Sequence, residues 1–346
     1  MDVENIIKCL ADEVGVSGEE KNAAELALEY LSKYTTDAYI KNGSVVGNFG
    51  ERSSSKPHIL LDAHIDQIGF IVSYITEDGF VKVGNCGGID RRLLLAQQVV
   101  ISGKSDIFGI ITSTPPHLAD GKEKKVIEIS DIFIDTGMPK KDLEKIVNLG
   151  DKITFSTKCE HLLNNKITGK ALDDRCGVAA ILYAIDLLQK EPLNCTFSAL
   201  FSTQEEVGER GARIAAYEIE PDFAIAVDVS FALTADDEEF KCGKLAKGGM
   251  IGIAPSLDRD FSDKMIACAK SQNIPYQIEV MNGQTGTNAD VFSVTKCGVK
   301  AVTLSIPLKY MHTPVEVIDI NDVKNVGEII AACLKSFGES DGEKNA

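Results

Sequence analysis

At 346 residues the chain exceeds one average domain and can bury a substantial core, so two domains, or one domain with a large insertion, are expected. Its 36 Lys and Arg against 52 Asp and Glu give a formal net charge of −16, which argues against a phosphate-tracking surface and excludes nucleic acid as an expected partner. The start, Met1-Asp2-Val3-Glu4-Asn5, lacks a basic and an apolar leader region, and no run of apolar residues approaches a spanning length, so a cytoplasmic protein with no membrane partner is expected.

From Val3 to about Ser32 apolar residues recur at helical spacing, broken near Gly15 to Gly18, where Ser17 before Gly18-Glu19-Glu20 predicts the start of a second helix. Val45 to Phe49 and His58 to Leu61 predict short strands, the second running into Asp62-Ala63-His64-Ile65-Asp66. Phe70 to Ile75 and Phe80 to Val83, joined by Thr76-Glu77-Asp78-Gly79, carry a hairpin signature. Further short strands are expected at Gln98 to Ile101, Phe108 to Ile111, Lys125 to Ile129, Ile132 to Ile134 and Lys152 to Phe155, with one helix over Lys140 to Val147. This β-rich block, residues 68–162, reads as a small barrel or sandwich.

Beyond residue 163 the pattern turns to βα alternation. Helices are expected from Arg175 to Gln189, Gly211 to Tyr217, Ser262 to Ser271 and Asn321 to Ser336, and strands at Cys195 to Ser202, Phe223 to Val229, Gln277 to Val280 and Val299 to Ser305. The polar tail Gly338 to Ala346 reads as loose. An α/β domain interrupted by an inserted β domain is the economical architecture. Nine cysteines without any C-x-x-C, several in apolar surroundings (Cys195, Cys268, Cys333), read as reduced core thiols; Cys176 has little to support it as a nucleophile, since Gly177 and a helical run follow at once.

In open α/β sheets functional groups collect beyond the carboxyl ends of the strands. Three apolar strands here finish in potential ligands: His64 and Asp66, the adjacent Glu205 and Glu206, and Asp228; a fourth leads to His312, and Asp173-Asp174 precedes a helix. Each has an ordinary reading by itself: Glu-Glu pairs are common on solvated faces, His312 could be a loop histidine, Asp228 a turn residue and Asp174 a helix cap. Together, two of only five histidines and a set of carboxylates at matching topological positions suit zinc, cobalt or manganese, and the absence of thiolates disfavours a structural zinc. A turn after the strand ending at Ser202 would point Glu205 and Glu206 different ways, so that one holds a metal and the other faces a water.

The segments Ala63-His64-Ile65-Asp66, Gly169-Lys170-Ala171-Leu172-Asp173-Asp174-Arg175, Thr203-Gln204-Glu205-Glu206-Val207-Gly208-Glu209-Arg210-Gly211-Ala212, Ala226-Val227-Asp228-Val229 and Tyr310-Met311-His312-Thr313-Pro314-Val315-Glu316 resemble the M42 family of metallo-aminopeptidases, which includes glutamyl and tetrahedral aminopeptidases. The resemblance covers nearly the whole chain in order. It implies an α/β/α catalytic domain of the zinc-peptidase type (1–67 plus 163–346) and an inserted small all-β, PDZ-like barrel domain (68–162) used for dimerisation. It further implies that Asp173 bridges two divalent ions, one also held by His64 and Asp228 and the other by Glu206 and His312. Glu205 would be the general base, and Asp66 would orient the His64 imidazole. Implied besides are short peptide substrates, zinc or cobalt with manganese also compatible, and a homo-oligomer that can reach a tetrahedral dodecamer built from dimers.

Three positions depart from the family pattern: Gln67 stands where a second acidic residue is common, Lys309 where an arginine is, and Asn288 in place of the aspartate of a Gly-Thr-Asp triplet. The rival activities are a glucanase-type glycoside hydrolase, which two adjacent glutamates do not equip with opposed carboxylates and which leaves the histidines idle, and a hydrolase of another small amide. A non-catalytic peptide-binding protein ranks last, because all five ligand positions are filled. An acidic side-chain preference would need a pocket cation, for which Lys309, Lys247 and Arg210 stand as candidates.

Overall fold

The computed structural model describes residues 1–118, 126–235 and 237–338. Its first segment contains α1 (Val3–Asp12), α2 (Lys21–Leu31), β1 (Ala38–Lys41), β2 (Ser44–Phe49) and β3 (His58–His64). The insert contains β4 (Gly69–Ile75), β5 (Val81–Cys86), β6 (Gln98–Ser102), β7 (Asp106–Ile111), β8 (Phe133–Asp135), α3 (Lys140–Leu143) and β9 (Lys152–Phe155). There follow β10 (Glu160–Leu162), β11 (Lys166–Gly169), α4 (Leu172–Leu188), β12 (Thr196–Ser202), α5 (Arg210–Ile219) and β13 (Phe223–Phe231). The chain closes with β14 (Gly249–Ile253), α6 (Arg259–Ser271), β15 (Tyr276–Val280), α7 (Ala289–Ser293), β16 (Lys300–Leu308), β17 (Glu316–Asp319) and α8 (Ile320–Lys335).

An eight-stranded sheet in the order β1-β2-β12-β3-β13-β16-β14-β15 forms the centre of an α/β fold. Strands β12, β3, β13 and β16 run parallel, so their carboxyl ends share one edge. All seven residues of β3 and of β12 are buried, as expected of parallel strands covered on both faces. Ile59, Leu61 and Ala63 pack into the core formed with α1, α2, α4, α6 and α8, whereas Leu60 and Leu200 join Ala212, Ala216 and Phe292 of α5 and α7 on the opposite face. Each leucine, isoleucine or phenylalanine among them contributes about 1.5–3 kcal/mol on burial. These two cores fix the register that sets His64 opposite Ser202 at the sheet edge.

The insert is a closed six-stranded barrel, β4-β5-β8-β7-β6-β9, with its own core of residues such as Phe70, Val99, Ile134 and Phe155. A separate three-stranded sheet, β10-β11-β17, pairs Gly169 with Glu316. That register brings the loop before α4 beside the loop before β17.

Several local expectations are corrected. Of the strand expected over Lys125 to Ile129, Lys125 lies outside the described residues, residues 126–128 have no regular structure and a short 3-10 turn spans Ile129–Asp131. The helix begun at Lys140 ends at Leu143. The second N-terminal helix begins at Lys21, and Ser17 donates its hydroxyl to Asp66 instead of capping. Beyond Gly338 the tail lies outside the described residues. No helix among the described residues is long and apolar enough to cross a membrane.

Candidate active site

The end of β3 delivers His64, whose Nδ1 lies 3.1 Å from the Asp66 main-chain carbonyl. A carbonyl only accepts, so Nδ1 carries a proton, and Nε2 is the nitrogen turned to the cluster. Nε2 stands 3.0 Å from Asp173 Oδ1 and 4.0 Å from Asp228 Oδ1. On the other side, His312 Nε2 lies 3.4 Å from Asp173 Oδ2 and 3.4 Å from Glu206 Oε1. The two oxygens of Asp173 therefore face two different imidazoles. All five expected ligands meet here.

The Asp173-Asp174 pair divides its work. Backbone angles at both are non-helical, and the regular part of α4 follows them. Asp174 accepts the amides of Gly177 (3.1 Å) and His64 (3.2 Å), so it caps α4 and ties it to β3. With both oxygens occupied by amides, Asp174 is scaffold, although it lies within ligand reach of His64 and Asp228. Asp173 keeps its carboxylate for the cluster.

The carboxylate of Asp66 is fully buried and accepts the Glu205 amide at 2.9 Å, the Glu206 amide at 3.2 Å and the Ser17 hydroxyl at 2.6 Å. Its carbonyl orients His64 while its carboxylate holds the turn bearing both glutamates. The barrel closes the far side: a Cβ on Gly87 would stand 3.0 Å from Glu206 Oε2, one on Gly88 would stand 3.0 Å from His312 Nδ1, and the Asp90 amide reaches the His312 carbonyl at 3.3 Å. Only glycines allow that approach.

A model of the M42 glutamyl aminopeptidase family matches residues 43–329. The chain belongs to the M42 family. It is 31% identical to a lysyl aminopeptidase of Pyrococcus furiosus over 97% of this chain and 98% of that one. An aminopeptidase structure from Desulfurococcus kamchatkensis superposes with a TM-score of 0.90 at 33% identity, covering 96% of this chain and 94% of that one. The Pyrococcus horikoshii TET1 peptidase, described as assembling into a tetrahedron or a large octahedral shell, gives 0.86 at 31% identity over 97% of this chain and 100% of that one.

Electrostatics in this M42 chain suit a cation. Burial raises Glu206 and Asp228 well above the ordinary carboxylate range, and the neighbouring Asp173 charge raises both further. Burial also pushes Glu205 up to about 7, opposed by His64 and reinforced by Asp173, Asp66 and Glu209. His64 is raised well above its usual value: burial opposes its charge, and Asp173, Asp66 and Glu205 outweigh burial. Asp173 is depressed because its bonds to His312 and His64 outweigh burial. Among the described residues no lysine or arginine pairs with Asp173, Glu205, Glu206 or Asp228. A buried, uncompensated set of carboxylate oxygens beside two imidazoles fits divalent ions.

The departures from the family pattern also find places. Gln67 is buried and bonds the Thr154 hydroxyl on β9, joining the site to the barrel. Asn288 donates to Asp62 Oδ2 at 2.7 Å and to Ser202 Oγ at 2.9 Å. An aspartate there would set carboxylate against carboxylate. Lys309 bonds Val317 through its backbone, while Lys247 and Arg210 are exposed. Sequence reasoning placed Ser17 only at a helix start and assigned no role to Gly87, Gly88 or Glu316. Glu316 lies in a quoted motif, and its burial beside histidine and aspartate was the missing signal.

Proposed function

We propose that this chain is a co-catalytic two-metal aminopeptidase that removes the N-terminal residue from short peptides. The carrying observation is Asp173, whose oxygens face His64 on one side and His312 on the other. In this reading Asp173 would be shared between two ions, with His64 and Asp228 holding one and Glu206 and His312 holding the other. Zinc or cobalt suits these donors first, with manganese also compatible. Bound there, such ions would supply Lewis acidity toward the scissile carbonyl and the attacking water. Glu205 takes the proton of the attacking water and returns it to the leaving amine, a role suited by a carboxyl held near neutrality. Asp66 keeps Glu205 and Glu206 in register through their amides.

Residues 1–67 plus 163–346 are proposed as the catalytic domain and 68–162 as the inserted dimerisation domain. The assembly described for TET1 supports a homo-oligomer, built from dimers and extending to a tetrahedral dodecamer.

The test is Glu205→Gln. Turnover of aminoacyl amides should fall about 10²–10⁴-fold while bound metal is unchanged. Full activity in that variant refutes the assignment. Chelation should abolish the wild-type reaction and metal restore it, with no hydrolysis of β-glucan.

A further inference from the structure

Glu316 is 1% exposed and opens β17, where its backbone pairs with Gly169 four residues before Asp173. Its Oε2 accepts the Asp173 amide at 3.2 Å, and its Oε1 accepts the His312 amide at 3.1 Å. One carboxylate thus spans two residues far apart in sequence and proposed to hold the same ion. His312 needs such a hold: its φ of 60° is left-handed, a conformation that a non-glycine residue keeps only when its surroundings impose it. Tyr310, two residues earlier, has φ 61°. The Asp90 amide bonded to the His312 carbonyl at 3.3 Å grips the same residue from the barrel side.

We infer that Glu316 is a positioning residue that sets the separation of Asp173 and His312 and thereby the affinity of the ion held on the Glu206–His312 side. The inference rests on the two-metal reading for its ion-affinity consequence and on the hydrogen bonds alone for its backbone consequence. No proton moves. The carboxylate presents an acceptor to each amide, and a neutral amide side chain cannot match this, because its NH₂ would face one of the two N–H groups.

The experiment titrates cobalt(II) into metal-free wild type, Glu316→Gln and Glu316→Ala, with calorimetry and visible absorption as readouts and far-UV circular dichroism as the check on folding. Hydrogen exchange over residues 170–174 and 310–316 is followed in the same proteins. In Glu316→Gln one of two binding events should weaken about 10–100-fold, the size usual for groups that orient ligands, while the other changes less. Exchange in the two segments should quicken. Added acetate should restore binding in Glu316→Ala by occupying the vacated space.

Wild-type-like affinity for both ions in folded Glu316→Gln overturns the inference, as does a folded Glu316→Ala that acetate leaves unrestored. If wild type takes up no cobalt, the two-metal reading fails instead. The exchange data then decide the clamp: unchanged rates in Glu316→Gln remove it, and faster rates confined to the two segments uphold it.

Discussion

Replacing Asn288 by aspartate tests why this chain carries an amide in that position. Asp62 is fully buried, and burial raises its pKa from 3.8 to about 7, against the opposing bonds from Ser202 and Asn288. In Asn288→Asp the donor 2.7 Å from Asp62 Oδ2 disappears and a second carboxylate takes its place. The two acids then survive only by sharing a proton. Near pH 6 Asp62 is mostly protonated, so the bond lost is one to a neutral acid, and the expected deficit there is about 0.5–1.5 kcal/mol. The sign of the pH dependence follows from proton counts. In wild type the folded state keeps on Asp62 a proton the unfolded state has lost, so stability falls as pH rises from about 4 to 7 and then levels. The variant pair retains its shared proton above pH 7, so its stability continues to fall. The deficit should therefore widen by about 1.4 kcal/mol per pH unit beyond that point. Urea unfolding followed by far-UV circular dichroism measures it, the chain having no tryptophan. The exchanged pair Asp62→Asn with Asn288→Asp should return to within about 1 kcal/mol of wild type, since donor and acceptor merely trade places. A single variant as stable as wild type from pH 6 to 9, or an exchanged pair no better than the single, refutes the reasoning.

Gly87→Ala should weaken ion binding and lower activity at least about tenfold, because its φ is +79° and its Cβ would sit 3.0 Å from Glu206 Oε2 and 2.8 Å from Ile68 Cγ2. Gly137→Ala, with φ +70° and nothing within 4 Å, should cost only about 1 kcal/mol of backbone strain and leave activity intact; equal activity losses in the two would refute the steric account. Burial lowers Lys170 from 10.5 to about 8, helped by the Arg175 charge, so the unfolded chain holds a proton that the folded one has released between those values. Stability should accordingly rise with pH from about 8 to 10.5 in wild type, and Lys170→Met should abolish that rise and add about 1–3 kcal/mol at pH 7. A variant that keeps the rise, measured by the same unfolding assay, would refute it.

The sequence makes legible what local pattern controls. Strands β3, β12 and β13 read clearly because burial on both faces makes them largely apolar, and their ends name His64, Glu205, Glu206 and Asp228. Strand β14 escaped because Gly249 and Gly252 interrupt its apolar run. Tertiary packing requires both: a Cβ at Gly249 would lie 2.5 Å from Val326 Cγ2, and one at Gly252 would lie 1.9 Å from Thr303 Oγ1. The strands β10, β11 and β17 are three or four residues long, too short for a period to register. Their pairing nevertheless brings Gly169 opposite Glu316. Spacing alone does not separate Asp174 as cap from Asp173 as cluster member, and only the family resemblance distinguished them, since the division depends on which carboxylate turns back to the Gly177 amide.

Two buried carboxylates, Asp66 and Glu316, share one device. Each accepts two backbone amides from the cluster: Asp66 those of Glu205 and Glu206, Glu316 those of Asp173 and His312. Binding backbone instead of side chains leaves the residues so held with their own carboxylates and imidazoles unspent, which a site made of acids needs. It also fixes loop positions without adding a lysine or arginine that would compete with a metal for those oxygens. A cationic clamp would neutralise the cluster's charge, whereas an anionic one adds to it and increases the demand for a divalent ion. The amides bonded to each carboxylate lessen the penalty of burying it. The same arrangement explains why the proposed ligands on α4, the β12–α5 turn and the loop before β17 converge although the chain separates them widely. Their backbones are held first, and the geometry of their side chains follows.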